Sequence, residues 1–163
     1  MLPIEKREAL VWEELKALFD RMGEPYFVGD IMQYFIGIKM EMMENTHPVS
    51  MNYYIHSKKV WFRSEVVSNF PERMVTDIFI LASHLNNQLE NGIVKVDVKE
   101  KKVIYLLSRT ALLGLLYSRE LNDQFSTHFF NTRDIWCAFH RLLDEGEEPA
   151  VIIGDFLRYS SLS

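Results

Sequence analysis

The side chains with most chemical potential in this sequence are five histidines, His47, His56, His84, His128 and His140, and a single cysteine, Cys137. No two histidines stand three or four residues apart, the spacing that puts two imidazoles on one helix face, so a zincin-type site is excluded. Cys137 and His140 are three apart and become neighbours on a helix. A thiolate–imidazole nucleophile uses such a pair, but it also needs a cleft and a third group that orients the base. The pattern here favours a small buried thiol beside a boundary histidine. Asp144, Glu145, Glu147 and Glu148 cluster their carboxylates without the spaced aspartates and central glycine of an EF-hand loop, and read as a solvated helix end. One cysteine also excludes an intrachain disulfide and a four-cysteine zinc site.

Other chemistry is equally hard to place. The sequence contains no GxGxxG, GxxxxGK[ST] or GxSxG, so no phosphate cradle or nucleophile elbow is visible. Lys95, Lys99, Lys101, Lys102 and Arg109 form a modest basic patch without interleaved aromatic residues. Charged hairpins of this kind more often protect a sheet edge than bind a nucleic acid. The chain carries 23 acidic against 18 basic side chains, a formal charge of −5, which also disfavours a phosphate-backbone partner. No enzyme, metal or cofactor is expected from these residues.

The elements that must position any site follow from periodicity. Ile4, Val11, Leu15, Leu18 and Met22, with Phe19 beside them, predict an amphipathic helix over 4–22, stopped by Gly23 and Pro25. From Met32 the period changes to two: Met32, Tyr34, Ile36, Ile38, Met40 and Met42, then Met51, Tyr53 and Ile55, then Val60, Phe62 and Val66. These runs predict three antiparallel strands separated by Glu44–Pro48 and Ser57–Lys59. Pro71 opens a second helix through Met74, Ile78, Leu81, Leu85 and Leu89, ended by Asn91-Gly92. Val94–Val98 and Val103–Leu107 predict a hairpin about a Lys99–Lys102 turn. Residues 119–143 read as mostly helical, with Asn131-Thr132 as a candidate break, and Ala150–Leu157 as a short apolar terminal segment.

The expected fold class is therefore α+β, ordered helix, three strands, helix, two strands, helix. A five-stranded antiparallel sheet with helices mainly on one face fits that order, as one domain over 1–163. The 163 residues suffice for a core without disulfides or structural metal, and 13% aromatic content argues against disorder. The longest apolar run, Ala111–Tyr117, is far short of the about 20 residues that span a bilayer. No apolar leader follows a basic start, so a cytoplasmic protein without membrane attachment is expected.

One surface invites a functional role. If Ile36 and its alternating partners face the helices, the opposite face carries Phe35, Tyr54, His56, Trp61 and Arg63. Aromatic rings with arginine are typical of recognition surfaces, where rigid apolar area is joined to polar handles. The other readings are that a helix or loop of the same chain covers this face, or that the strand register differs by one. Five of the eight methionines lie between Met32 and Met51, and could serve either an adaptable surface or the core.

The stretch "ILASHLNNQLENGIVKVDVKEKKVIYLLSR" (80–109) places Asn86 and Asn87 near a helix end, Gly92 before a strand and a charged turn within a hairpin. Together with "LYSRELNDQF" before the long helix and "LLDEGEEPA" after it, and with the order of elements, it resembles the YbjN-like and type III secretion chaperone-like domains. The sequence departs from them in its long Met- and aromatic-rich first strand and its His47–Pro48 turn. The resemblance implies a non-catalytic domain that dimerises and holds a protein or peptide segment. It transfers no functional residue, because such a fold acts through surfaces. The leading expectation is a protein-interaction module, chaperone-like or regulatory, working as a homodimer. The alternatives are a cysteine-dependent enzyme using Cys137 and His140, and a small-molecule sensor with a pocket between sheet and helices.

Overall fold

A computed structural model describes residues 3–29, 34–110 and 118–160. The elements are α1 (Ile4–Met22), β1 (Tyr26–Val28), β2 (Phe35–Met40), β3 (Val49–His56), β4 (Lys59–Val67), α2 (Val75–Gln88), β5 (Ile93–Asp97), β6 (Lys102–Thr110), α3 (Ser118–Leu143) and α4 (Pro149–Ser160). The strands form one antiparallel six-stranded sheet in the order β1-β2-β3-β4-β6-β5. Contacts gather the chain into two compact units: Met1–Ser64 with Leu107–Phe130, and Glu65–Leu106 with Asn131–Ser163. Both β4 and β6 contribute residues to each unit.

In the first unit, β3 alternates without a fault: Val49, Met51, Tyr53 and Ile55 are buried while Ser50, Asn52 and Tyr54 are partly open. Val60, Phe62 and Ser64 continue the buried row on β4, and Ile36 and Ile38 supply it on β2. Against this row pack α1 and the first half of α3. The Phe19 ring stands 4.9 Å from Tyr53 and 5.6 Å, edge-on, from Phe125, whose ring is also 5.6 Å from Tyr53. Each fully buried ring removes apolar area worth about 1.5–3 kcal/mol from water, so this aromatic cluster dominates the unit's cohesion. Gly23, at φ +70°, ends α1 with a left-handed cap.

The second unit is built on α2, β5, most of β6 and the second half of α3. Ile78, Leu81, Ala82 and Leu85 form the buried stripe of α2. The Asn86 side chain donates from Nδ2 to the Val94 carbonyl at 2.9 Å and accepts the Val94 N–H at 2.7 Å, pairing with the strand as a neighbouring backbone would. Asn86→Ala strips both partners from Val94. The site is only part-buried and water can substitute, so urea denaturation is expected to show a loss of about 1 kcal/mol. An unchanged midpoint would mean the amide contributes nothing. Tyr105 is fully buried; its hydroxyl donates to the Asn91 carbonyl and accepts from Asn131 Nδ2, both at 2.9 Å.

Several sequence expectations need correction. The sheet has six strands rather than five, because Tyr26–Val28 pairs with Ile36–Ile38. The second strand runs from Phe35 to Met40, so Met42 is buried but lies beyond it; Met32 and Gln33 lie outside the described residues, as does the Ala111–Tyr117 run. After Pro71 the chain makes one 3-10 turn, Glu72–Met74, before α2 begins, and α2 ends at Gln88, with Leu89 extended, ahead of Asn91-Gly92. Asn131-Thr132 does not break α3: Asn131 spends its amide on Tyr105 and Thr132 is fully buried, so neither serves as a cap. The terminal segment is a helix, α4. Pro149 opens it as the first helical residue, where the missing N–H costs nothing.

Candidate interaction surface

The buried alternation of β2–β4 leaves the other face of these strands to carry the candidate site, all of it within the first unit. Register pairs Phe27 with Gly37 and Phe35 with Tyr54. The Phe27 ring lies over Gly37, where a Cβ would collide with it. The absent side chain is what lets the edge strand lay its ring on the sheet. Centroids run 5.9 Å from Phe27 to Phe35, 6.4 Å from Phe35 to Tyr54 and 6.2 Å from Tyr54 to Trp61. The last two pairs are stacked, within 19° and 13° of parallel. Four rings thus form a continuous row across β1–β4.

Polar groups fix the end of this row. Trp61 Nε1–H donates to the His56 carbonyl at 3.2 Å, and Lys59 Nζ sits 5.6 Å from the Trp61 ring centroid, within cation–π range. Partial burial raises the Tyr54 hydroxyl pKa, while the nearby Arg63 charge pulls it down. The structure brings Phe35, Tyr54, Trp61 and Arg63 together. His56 lies exposed at the end of β3 and enters the arrangement through its backbone carbonyl. Sequence reasoning missed Phe27, which is 54% exposed. Its strand of three residues is too short to show an alternation, although the aromatic pair Tyr26-Phe27 just beyond a helix stop was a signal.

Beneath this face lies a polar cluster that periodicity did not reveal. His128 on α3 is buried between Tyr53 and Phe62, with ring centroids at 5.5 and 5.6 Å. Its Nδ1 meets the Tyr53 hydroxyl at 3.3 Å and its Nε2 the Ser64 hydroxyl at 3.1 Å. Burial holds the imidazole pKa down at about 3, so it is neutral, one nitrogen donating and the other accepting. Burial likewise pushes the Tyr53 hydroxyl well above its usual range. The cluster is enclosed and acts as packing.

The second unit holds the other candidate residues. The Cys137 thiol pKa is raised, by burial first and by Asp134 next, which is opposite to nucleophile activation. His140 stacks on Trp136 at 4.8 Å and its Nδ1 lies 2.7 Å from Asp144 Oδ2; no hydrogen bond joins it to Cys137. In the acidic stretch, Arg141 donates to Glu147 from Nε at 3.0 Å and reaches Asp155 at 2.7 Å, raising its own pKa and lowering that of Glu147. Among the described residues no group of three acidic, histidine or cysteine side chains could hold a metal, and no helix is long and apolar enough to cross a membrane. Of the basic patch, Lys102 is paired to Glu65 at 3.1 Å. A cavity of about 550 Å³ opens in this unit, lined by Leu85 and Leu89, by Asn131, Ile135 and Cys137 of α3, and by Phe156 of α4. Its walls come from α2 and the residue that follows it, α3 and α4, whereas the sequence placed a pocket between sheet and helices.

No family model matches the chain, and no curated protein matches it by sequence. Solved structures do. YbjN of E. coli, a proposed transcription regulator, superposes with a TM-score of 0.65 at 14% identity, over 81% of this chain and 93% of that one. A chain of the ExsC–ExsE complex superposes with a TM-score of 0.56 at 16% identity, over 83% and 95%. The six antiparallel strands and four helices among the described residues, with these two superpositions, give the chain a YbjN-like, type III secretion chaperone-like fold.

Proposed function

We propose that this chain is a non-catalytic protein-interaction module, chaperone-like or regulatory, which acts in the cytoplasm as one domain over 1–163. It binds a protein or peptide segment through the outward face of β1–β4 and works as a homodimer. The observation that carries this reading is the unbroken row Phe27, Phe35, Tyr54, Trp61 on a sheet face, with Arg63 and His56 beside it. Rigid rings offer large contact area at little cost in side-chain entropy, which is why they concentrate binding energy. The fold supports the reading, since one of its similar structures is a complex of two proteins. The raised Cys137 pKa and the separate engagement of His140 weigh against the cysteine enzyme.

The double substitution Trp61→Ala with Tyr54→Ala tests it. Both rings sit outside the core, so the thermal midpoint should move by only a few degrees. Association, measured by sedimentation velocity and by retention of co-purifying protein, should weaken by about tenfold or more. A large loss of fold stability would assign the rings to the core. A wild-type chain that is strictly monomeric and retains no partner would overturn the proposal. The helix-lined cavity keeps a small-molecule sensor as a second reading, for which a ligand-dependent rise in thermal midpoint is the check.

A further inference from the structure

We infer that the segment held on this face is acidic, a step that rests on the face being the binding surface. Along the outward positions of β2–β4 in the first unit stand Phe35, Gly37, Lys39, then Ser50, Asn52, Tyr54, His56, then Lys59, Trp61, Arg63. Three are cationic, and the next position of that row on β4, Glu65 at the start of the second unit, has its carboxylate paired with Lys102 at 3.1 Å, in a chain whose acidic residues outnumber its basic ones 23 to 18. Lys39 and Lys59 make no ion pair among the described residues, and Lys59 is already held against the Trp61 ring that a ligand would touch.

Charge complementarity then selects the occupant. In a chain of net charge −5, a positive aromatic face draws an acidic segment that the other acidic side chains repel, which sets the site. A carboxylate reaching Lys59 would lie beside the Trp61 ring, partly shielded from water, where an ion pair is stronger than on an open surface. The row crosses four strands about 4.8 Å apart, a span of about 14 Å, which four or five extended residues cover. The ligand is thus a short stretch that interleaves Asp or Glu with apolar anchors. A basic segment would leave Lys39 and Lys59 facing like charge, which costs affinity directly.

The test uses the full-length protein, immobilised, and a phage-displayed library of random peptides, followed by fluorescence polarisation with the peptides selected. Enrichment of Asp and Glu beside Phe, Leu, Tyr or Trp is expected. Affinity should fall about fivefold or more as salt rises from about 0.05 to 0.5 M. Lys39→Glu with Lys59→Glu should weaken binding about tenfold, with circular dichroism and thermal midpoint unchanged. Selection of basic or uncharged peptides that Trp61→Ala with Tyr54→Ala abolishes would overturn the charge inference and leave the surface standing. Selected peptides that ignore the aromatic double variant, or no enrichment at all, would overturn both. A dimer that the aromatic variant dissolves and that excludes every peptide would give the face to a second copy and end the acidic-segment inference.

Discussion

Tyr53→Ala should cost the protein about 3–5 kcal/mol, enough to unfold most of a marginally stable population at ordinary temperature. The ring is fully buried and touches Phe19, Phe62, Phe125 and His128 at centroid distances between 4.9 and 5.6 Å. Its removal opens a cavity whose rigid aromatic walls cannot collapse to fill it. It also takes away the hydroxyl that satisfies His128 Nδ1. Tyr53→Phe separates the two contributions, keeping the ring and losing only the hydrogen bond, for about 1–2 kcal/mol. Chemical denaturation of both variants provides the measurement. If alanine and phenylalanine prove equally mild, the aromatic cluster is not the centre of the first unit.

Acid should destabilise the fold through His128. In the unfolded chain an imidazole takes up a proton near pH 6.5, whereas in the folded protein burial delays that uptake to about pH 3. A group whose folded pKa is depressed stabilises the fold fully above the unfolded value and loses that contribution as pH falls towards the folded one. The window therefore opens below about pH 6.5, and at pH 5 the loss from this side chain is on the order of 2 kcal/mol. His128→Gln removes the titration while keeping a donor and an acceptor near Tyr53 and Ser64. Stability measured from pH 7 to 4 should fall less steeply in the variant than in the wild type, whatever its starting value. Parallel slopes would mean that His128 is protonated in the folded state.

Much of this architecture is legible because it is locally encoded. Met51, Tyr53 and Ile55 alternate with Asn52, Tyr54 and His56, and once one set is buried the other must face outward. That relation put Phe35, Tyr54 and Trp61 on one face, and their rings neighbour one another at 6.4 and 6.2 Å. What escaped was either too short or too distant in sequence. β1 spans three residues and has no period of its own. His128 finds its partners 64 and 75 residues away, so nothing beside it marks a polar side chain destined for the core. Asn131 looked like a helix breaker because its local tendency is to cap, and its bond to Tyr105, 26 residues earlier, overrode that tendency.

A sheet with two open edges can recruit copies head to tail without limit, which is the geometry of a fibre. Here the two edges are unequal. At β5 the Asn86 amide already occupies the outward N–H and C=O of Val94, so an incoming strand must first evict it. At β1 the strand exposes Phe27 and Val28. Asn86 thereby blunts one edge of the sheet, a single side chain standing where an added strand would have to pair.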